Sequence, residues 1–393
     1  MTLTSHIDGP KNIMPFDENT KGDRDLVNIP LVNLKAQYDE IKGSVNASLD
    51  KIFKSCDFIL GQEVLDFEAK FAEFIGTKFC VGVGSGTDAL HLACRAIGLG
   101  SGDEVIVPAN TFIATCLGVE LAGAKPIPVD VDSSGFLMDN SKIRQSITKK
   151  TKAIIPVHLY GQVVDMTEIR KIASEFGLTI IEDAAQAHGA MYGENRAGSL
   201  GKIGCFSFYP GKNLGGAGDG GALTTNCENT YQSLLGLRNY GSTIKYHHPK
   251  IGVNSRLDSI QAAILNIKLK KLDYYNNSRR KVAKFYLNKL KGIGDISLPF
   301  FPEDESHVFH LFVIKTSHRK ELAIYLARNG IGTGIHYPKP FHLHGAFKHL
   351  GYEVGSFPVS EKNSEEIISL PIYPELRTSE LEYIVEKIVK FYN

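Results

Sequence analysis

Four apolar runs, DEVIVPAN (103–110), KPIPVDVD (125–132), KAIIPVHLYG (152–161) and LTIIEDAA (178–185), are interleaved with the helical segments TCLGVELAG (115–123) and MTEIRKIASEF (166–176). Short apolar runs of this kind read as strands buried on both faces. Strand and helix in alternation imply an α/β fold, with a mostly parallel central sheet flanked by helices. In such sheets ligands sit beyond the carboxyl ends of the strands. The residues to weigh are therefore those ending the runs: Ser85-Gly86-Thr87, Asn110-Thr111-Phe112, His158, Asp183 and Ser207.

Around this block the chain divides into three. Residues 1–27 lack a hydrophobic period and read as a polar mobile arm. Residues 28–265 read as the large domain, which also holds the helix EVLDFEAKFAEFIG, the strand KFCVGVGSG and the helix TDALHLACRAIGLG. From about residue 261, QAAILNIKLKKLDYYNNSRRKVAKFYLNKLK reads as a long connecting helix with a solvated cationic face. Residues 266–393 form a smaller C-terminal α+β domain on this reading.

The 393 residues carry 44 Lys and Arg against 43 Asp and Glu, which leaves no electrostatic footprint for nucleic acid or an anionic membrane. Six scattered cysteines without a C-x-x-C pair suit a reducing compartment. With no basic-then-apolar leader and no membrane-length apolar stretch, the expectation is a cytoplasmic protein acting on a small molecule.

VGVGSGTDAL holds G-x-G-x-x-A at Gly84, Gly86 and Ala89, but Asp103 and Glu104 precede the next strand instead of ending it. The nicotinamide fingerprint therefore lacks its ribose-binding acid. Backbone N–H groups of Gly86 and Thr87 at a helix start, with nearby hydroxyls, still suit a phosphate; a capped helix without ligand is the alternative. FSFYPGKNLGGAGDGGAL (206–223) has Phe206 and Asn213 where a phosphate-binding P-loop needs glycine and a hydroxyl. Hydrolase and zinc signatures are missing, and His336, His342, His344 and His349 read as hydrogen-bonded residues without a metal.

One pair stands out. Asp183 ends a buried strand, where a carboxylate needs a cationic partner, and Lys212 follows 29 positions later at a neighbouring strand end. A protonated pyridine nitrogen and a Schiff-base lysine are the two contacts that pyridoxal phosphate requires beyond a phosphate cradle.

The ordered motifs GVGSGTDAL, VPANTFIAT, VHLYGQ, EDAAQAHGA, FSFYPGKNLG, GDGGAL, LRNYGS and GVNSRLDSIQAAIL resemble those of the DegT/DnrJ/EryC1/StrS sugar aminotransferases, which are fold type I pyridoxal phosphate enzymes. The resemblance implies pyridoxal 5'-phosphate on Lys212, which is also the proton carrier, with Asp183 at the ring nitrogen and Gln186 by the ring hydroxyl. It implies Gly86, Thr87 and Ser207 at the phosphate, Phe112 on the ring face, and Asn254 reaching the phosphate of a neighbouring subunit in a homodimer with shared sites. His158, His336 and Tyr337 are expected at the sugar or its pyrophosphate. Histidine replaces the lysine in the dehydratases of the group, so Lys212 favours amino transfer. Gln186, three residues after Asp183, resembles the members that convert a dTDP-3-keto-6-deoxyhexose to the dTDP-3-amino-3,6-dideoxyhexose with glutamate as donor. Amination at C-4 and a non-catalytic regulator that binds the cofactor are the alternatives.

Overall fold

The computed structural model describes residues 27–133, 135–304 and 306–393. The polar arm expected at 1–27 lies, apart from its last residue, outside the described residues.

The strands are β1 (Phe79–Val83), β2 (Glu104–Pro108), β3 (Lys125–Val129), β4 (Thr151–Ile154), β5 (Thr179–Asp183), the short hairpin β6 (Met191–Tyr192) and β7 (Asn195–Arg196), β8 (Ile203–Ser207), β9 (Gly221–Thr225), β10 (Phe312–Lys315) and β11 (Ile367–Leu370). Seven of them build the central sheet in the order β1-β9-β8-β5-β4-β2-β3. All pairings among β2, β3, β4, β5 and β8 are parallel, whereas β9 runs antiparallel to both β1 and β8. The sheet is thus mostly parallel, as the alternating runs imply. Ser207 at the end of β8 pairs with Gly221 at the start of β9, so the Lys212 turn leaves and re-enters the sheet at one place.

The large-domain helices are α1 (Leu34–Ser55), α2 (Gln62–Ile75), α3 (Gly86–Ala96), α4 (Ile113–Leu121), the single turn α5 (Ile143–Ser146), α6 (Met166–Phe176), α7 (Glu228–Leu237) and α8 (Ser259–Leu269). Helix α2 shows why they form. Val64, Phe67, Phe71 and Ile75 recur at three- and four-residue spacing and are buried, and the helix stops at Gly76, whose left-handed φ of 82° a side chain would resist. Strand side chains alternate between faces. Cys205 belongs to the core under α3 and α4, while Phe206 and Phe208 belong to the opposite core under α2 and α8. There the Phe71 ring meets both Phe206 and Phe208 edge-on, at 4.9 and 5.5 Å.

The basic run after residue 260 departs from the expected single helix. It breaks at Lys270 and Lys271 into α8 and α9 (Leu272–Leu290). Its cationic face is not wholly solvated either, because Lys268 and Arg279 are buried. Lys268 Nζ donates to Gln37 Oε1 and to the Gly215 carbonyl, and Arg279 Nη1 donates to the Ile372 carbonyl, so each buried charge is met by oxygens of the surrounding chain.

The smaller core gathers α9, β10, α10 (Arg319–Arg328), β11 and α12 (Thr378–Tyr392), with α11 (Pro358–Glu366) leading into β11. Ile29, before α1, bridges to Ile331 and lies in this core. Among the described residues no helix is long and apolar enough to cross a membrane.

Candidate active site

The carboxyl ends of β1, β5 and β8 converge on one side of the sheet. At the first, Ser85 caps α3, its Oγ accepting the Asp88 N–H at 3.1 Å, so this hydroxyl already serves its own helix. Gly86 opens α3 against Ser207: a Cβ at 86 would lie 2.6 Å from the Ser207 Cβ. Gly221 closes on the same point, where its Cβ would lie 2.3 Å from the Ser85 carbonyl oxygen. The three backbones form a cradle that side chains would fill, at the start of an eleven-residue helix whose free N–H groups favour an anion. Gly86, Thr87 and Ser207 are thereby brought together. Asn254 stands exposed, and its neighbour Ser255 is tied to the cradle by accepting the Gly84 N–H at 2.9 Å and donating to Asp88 Oδ2 at 2.8 Å.

Asp183 ends β5 with 5% of its surface exposed. Thr115 Oγ1 donates to Oδ2 at 2.7 Å and the Ala185 N–H to Oδ1 at 3.2 Å. Burial raises its carboxyl pKa, and these two donors oppose the shift. A buried carboxylate met mainly by neutral donors is suited to a further cation, such as a protonated ring nitrogen.

Lys212 sits in the turn between β8 and β9, its N–H bonded to the Tyr209 carbonyl at 2.9 Å. Burial lowers the amine from its ordinary value to about 8, with Asp183 acting in the opposite direction. None of the glycines from Gly211 to Gly221 adopts a left-handed φ. They are there for close approach instead: a Cβ on Gly215 would lie 2.2 Å from the Pro210 carbonyl oxygen.

Aromatic and amide groups cover the site. Phe112, exposed before α4, meets the Tyr337 ring at 5.0 Å. Gln186 Nε2 donates to Tyr337 Oη at 3.1 Å, and Gln186 Oε1 accepts the Tyr160 N–H at 2.7 Å. One Nε2 hydrogen of Gln186 remains for a ligand. The Tyr160 hydroxyl donates to the His336 carbonyl, and His336 Nδ1 lies 2.8 Å from Ser369 Oγ.

His158 departs from its expected place beside the sugar. It is fully buried, with Nε2 at 2.9 Å from Glu182 Oε2 and Nδ1 accepting the Val164 N–H at 3.3 Å. Both ring nitrogens are occupied inside the protein. Glu182 itself accepts the N–H groups of Gly198, Leu200 and Gly201 at 2.6–2.8 Å. The doubled acid in IIEDAA carries the signal: neighbours on a strand face opposite ways, and one carboxylate organises loops while the other faces the site.

Sequence reasoning also missed Thr115, Tyr160, His188 and His310. Burial, followed by the positive charge of Lys212, lowers His188 to about 3, His336 to about 4 and His310 well below the ordinary imidazole value. The imidazoles near Lys212 are therefore neutral. His342, His344 and His349 pair elsewhere, with Glu361, the Lys339 carbonyl and Glu120. The four histidines from 336 to 349 do not converge.

Comparison with known proteins agrees with this geometry. Residues 39–389 match the model of the DegT/DnrJ/EryC1/StrS aminotransferase family. The dTDP-3-amino-3,6-dideoxy-alpha-D-galactopyranose transaminase of Aneurinibacillus thermoaerophilus is 47% identical over 92% of this chain and 99% of its own. A pleiotropic regulatory protein of Geobacillus stearothermophilus is 44% identical over 93% and 99%. The crystal structure of Streptomyces venezuelae DesV in complex with a ketimine intermediate superposes with a TM-score of 0.91 at 43% identity, covering 93% of this chain and 99% of that one. The chain belongs to the DegT/DnrJ/EryC1/StrS aminotransferase family and is a sugar aminotransferase dependent on pyridoxal 5'-phosphate.

Proposed function

We propose that the enzyme moves an amino group from glutamate to C-3 of a dTDP-3-keto-6-deoxyhexose, as a cytoplasmic homodimer. The observation that carries the reading is one wall of the site: Asp183, the Lys212 amine lowered to about 8, and the cradle of Gly86 and Ser207. When bound, pyridoxal phosphate supplies an electron sink that stabilises negative charge on the carbon bearing the amino group.

The chain's residues do the rest. The Gly86 and Thr87 N–H groups and the Ser207 hydroxyl hold the phosphate, Phe112 covers one ring face, and Gln186 keeps an N–H for the ring oxygen. Asp183, buried and held by Thr115, keeps a proton on the ring nitrogen. Lys212, neutral from about pH 8 upward where an ordinary lysine is still charged, accepts a proton at Nζ from one carbon and returns it to another. His336 and Tyr337, whose rings lie 5.6 Å apart with Phe112 beside Tyr337, orient the sugar.

Gln186, three residues after Asp183, supports C-3, as does the named product of the 47% identical relative. The experiment is direct. Purified enzyme with L-glutamate is offered dTDP-3-keto-6-deoxygalactose, dTDP-3-keto-6-deoxyglucose, dTDP-4-keto-6-deoxyglucose and a UDP-linked 3-keto sugar, and the aminated carbon is located by NMR. Turnover at least tenfold faster on a dTDP-3-keto sugar supports the proposal; preference for the 4-keto or UDP-linked sugar sinks it.

Sharing of sites has its own test. Tyr240, Ile244, Tyr246 and Ile251 stand exposed in the segment before Asn254, where a second copy would cover them. Mixing Lys212→Ala with Asn254→Ala subunits would restore activity if each site takes Lys212 from one copy and Asn254 from the other. No gain on mixing subunits that exchange would refute the arrangement.

A further inference from the structure

The residue after Lys212 anchors a buried network to which the chemistry above gives no task. Asn213 is 2% exposed. Its Nδ2 donates both hydrogens, to Asn276 Oδ1 at 2.9 Å and to the Val308 carbonyl at 3.0 Å, and its Oδ1 lies 3.2 Å from His310 Nδ1. Asn276, on α9, donates through its own Nδ2 to the His188 carbonyl at 2.9 Å. That carbonyl can only accept, which fixes the orientation of the Asn276 amide. Asn276 Oδ1 then faces Asn213, and the Val308 carbonyl repeats the demand for a donor there, so the Asn213 amide is oriented as well. An amide oxygen cannot donate. The hydrogen between Asn213 and His310 must therefore sit on His310 Nδ1, and a neutral imidazole so bonded keeps its lone pair on Nε2.

We propose that Asn213 is a positioning residue: it fastens the Lys212 turn to α9 and to the segment entering β10, and it fixes His310 as the Nδ1-protonated tautomer. Three elements distant in sequence meet at this one amide, so the turn cannot shift without breaking its bonds to α9 and to the segment entering β10. A Cβ on Gly189, beside the His188 carbonyl, would lie 2.9 Å from Asn276 Nδ2, which leaves the network no room to slide. The ionisable groups that influence Lys212 or feel its charge are Asp183, His188, His310 and His336. With the three imidazoles neutral, Asp183 is the partner whose charge acts on the amine, and the position of the turn sets how deeply that amine is buried.

The proposal rests on Lys212 being the cofactor lysine, so the test separates the two ideas. If Lys212→Ala still takes up pyridoxal phosphate with the same visible absorption, it is the reading of Lys212 that fails. In full-length protein labelled with 15N-histidine, NMR should report His310 as Nδ1–H; an Nε2–H tautomer overturns the proposal. Asn213→Leu keeps the branched shape, with bulkier methyls, and removes all three bonds. In the cofactor-free variant, acetylation of Lys212 by acetic anhydride, read by peptide mass spectrometry across pH, should have its midpoint raised from about 8 by roughly one unit, toward the ordinary lysine value. Uptake of pyridoxal phosphate, read by absorbance, should slow by roughly tenfold, the loss of about one net hydrogen bond. A variant that melts earlier with both readings unchanged shows a merely structural role and overturns the proposal. Should Asn213→Leu fail to fold, Asn213→Ser is read in the same way, and the tautomer in the native protein decides independently.

Discussion

Two glycine-rich stretches meet at the site and use glycine differently. In the cradle, Gly86 and Gly221 leave out side chains so that the starts of α3 and β9 can close on Ser207 and Ser85, whereas in the Lys212 turn Gly215 leaves one out so that the turn can close on its own Pro210 carbonyl. The first gathers separate elements and the second seals a turn on itself. The contrast teaches that glycine density alone does not locate a phosphate. On the proposed reading the phosphate goes to the free N–H groups at the start of α3, and Lys212 sits in the stretch with more glycine.

The sharpest break in this comparison is Lys212→Ala. The variant should keep the sealed turn yet lose turnover by about 10⁴-fold or more if Lys212 is, as proposed, both covalent anchor and proton carrier; a coupled assay and the loss of visible absorbance check both. Next comes the cradle. Gly221→Ala should destabilise by about 1–3 kcal/mol or abolish cofactor binding, because the new methyl meets the Ser85 carbonyl oxygen at 2.3 Å. Gly211→Ala, whose nearest neighbour is the Tyr209 ring at 3.7 Å, should stay within about 0.5 kcal/mol in chemical denaturation.

The pH dependence separates the two stretches further. Uptake of pyridoxal phosphate needs the neutral amine, and burial has lowered that pKa, so the rate should rise through a midpoint near 8. An ordinary lysine would place the midpoint near ~10.4. The neutral histidines should add no step between about pH 5 and 7, which stopped-flow absorbance would reveal. Among the residues proposed to touch the cofactor, the smallest effect belongs to Ser207→Ala, which leaves the backbone cradle intact. It should weaken cofactor binding by about 1 kcal/mol, roughly fivefold, in equilibrium dialysis.

Much of this was legible in the sequence, for reasons that can be named. Asp183 stands out because a carboxylate at the end of IIEDAA must be answered by something, and Gly86 stands out because a strand, a glycine and a helix follow in order. His158 misled because a polar residue ending a strand can point back into the protein as readily as out to a ligand. Glu182 was hidden by its neighbour, and its partners at Gly198, Leu200 and Gly201 come from a loop that no local pattern ties to β5. Asn213 and His310 lie 97 positions apart. Only the packing of one domain on the other joins them. Lys268 was read as solvated for the same reason, since its acceptors, Gln37 and Gly215, are distant in the chain.

The pairing of Ser207 with Gly221 has a consequence for how the site can vary. Because β9 runs against both neighbours, the thirteen residues between these two form a loop whose ends are already held together by the sheet. Changing its length would alter a closure that depends only weakly on residue number, and would leave the alignment of every strand untouched. A parallel connection offers no such isolation, since an insertion there must be absorbed by a crossing helix. The sheet therefore sets only where this loop begins and ends; what fixes Lys212 within it is the loop's own packing, with Phe208, Asn213 and Leu214 buried.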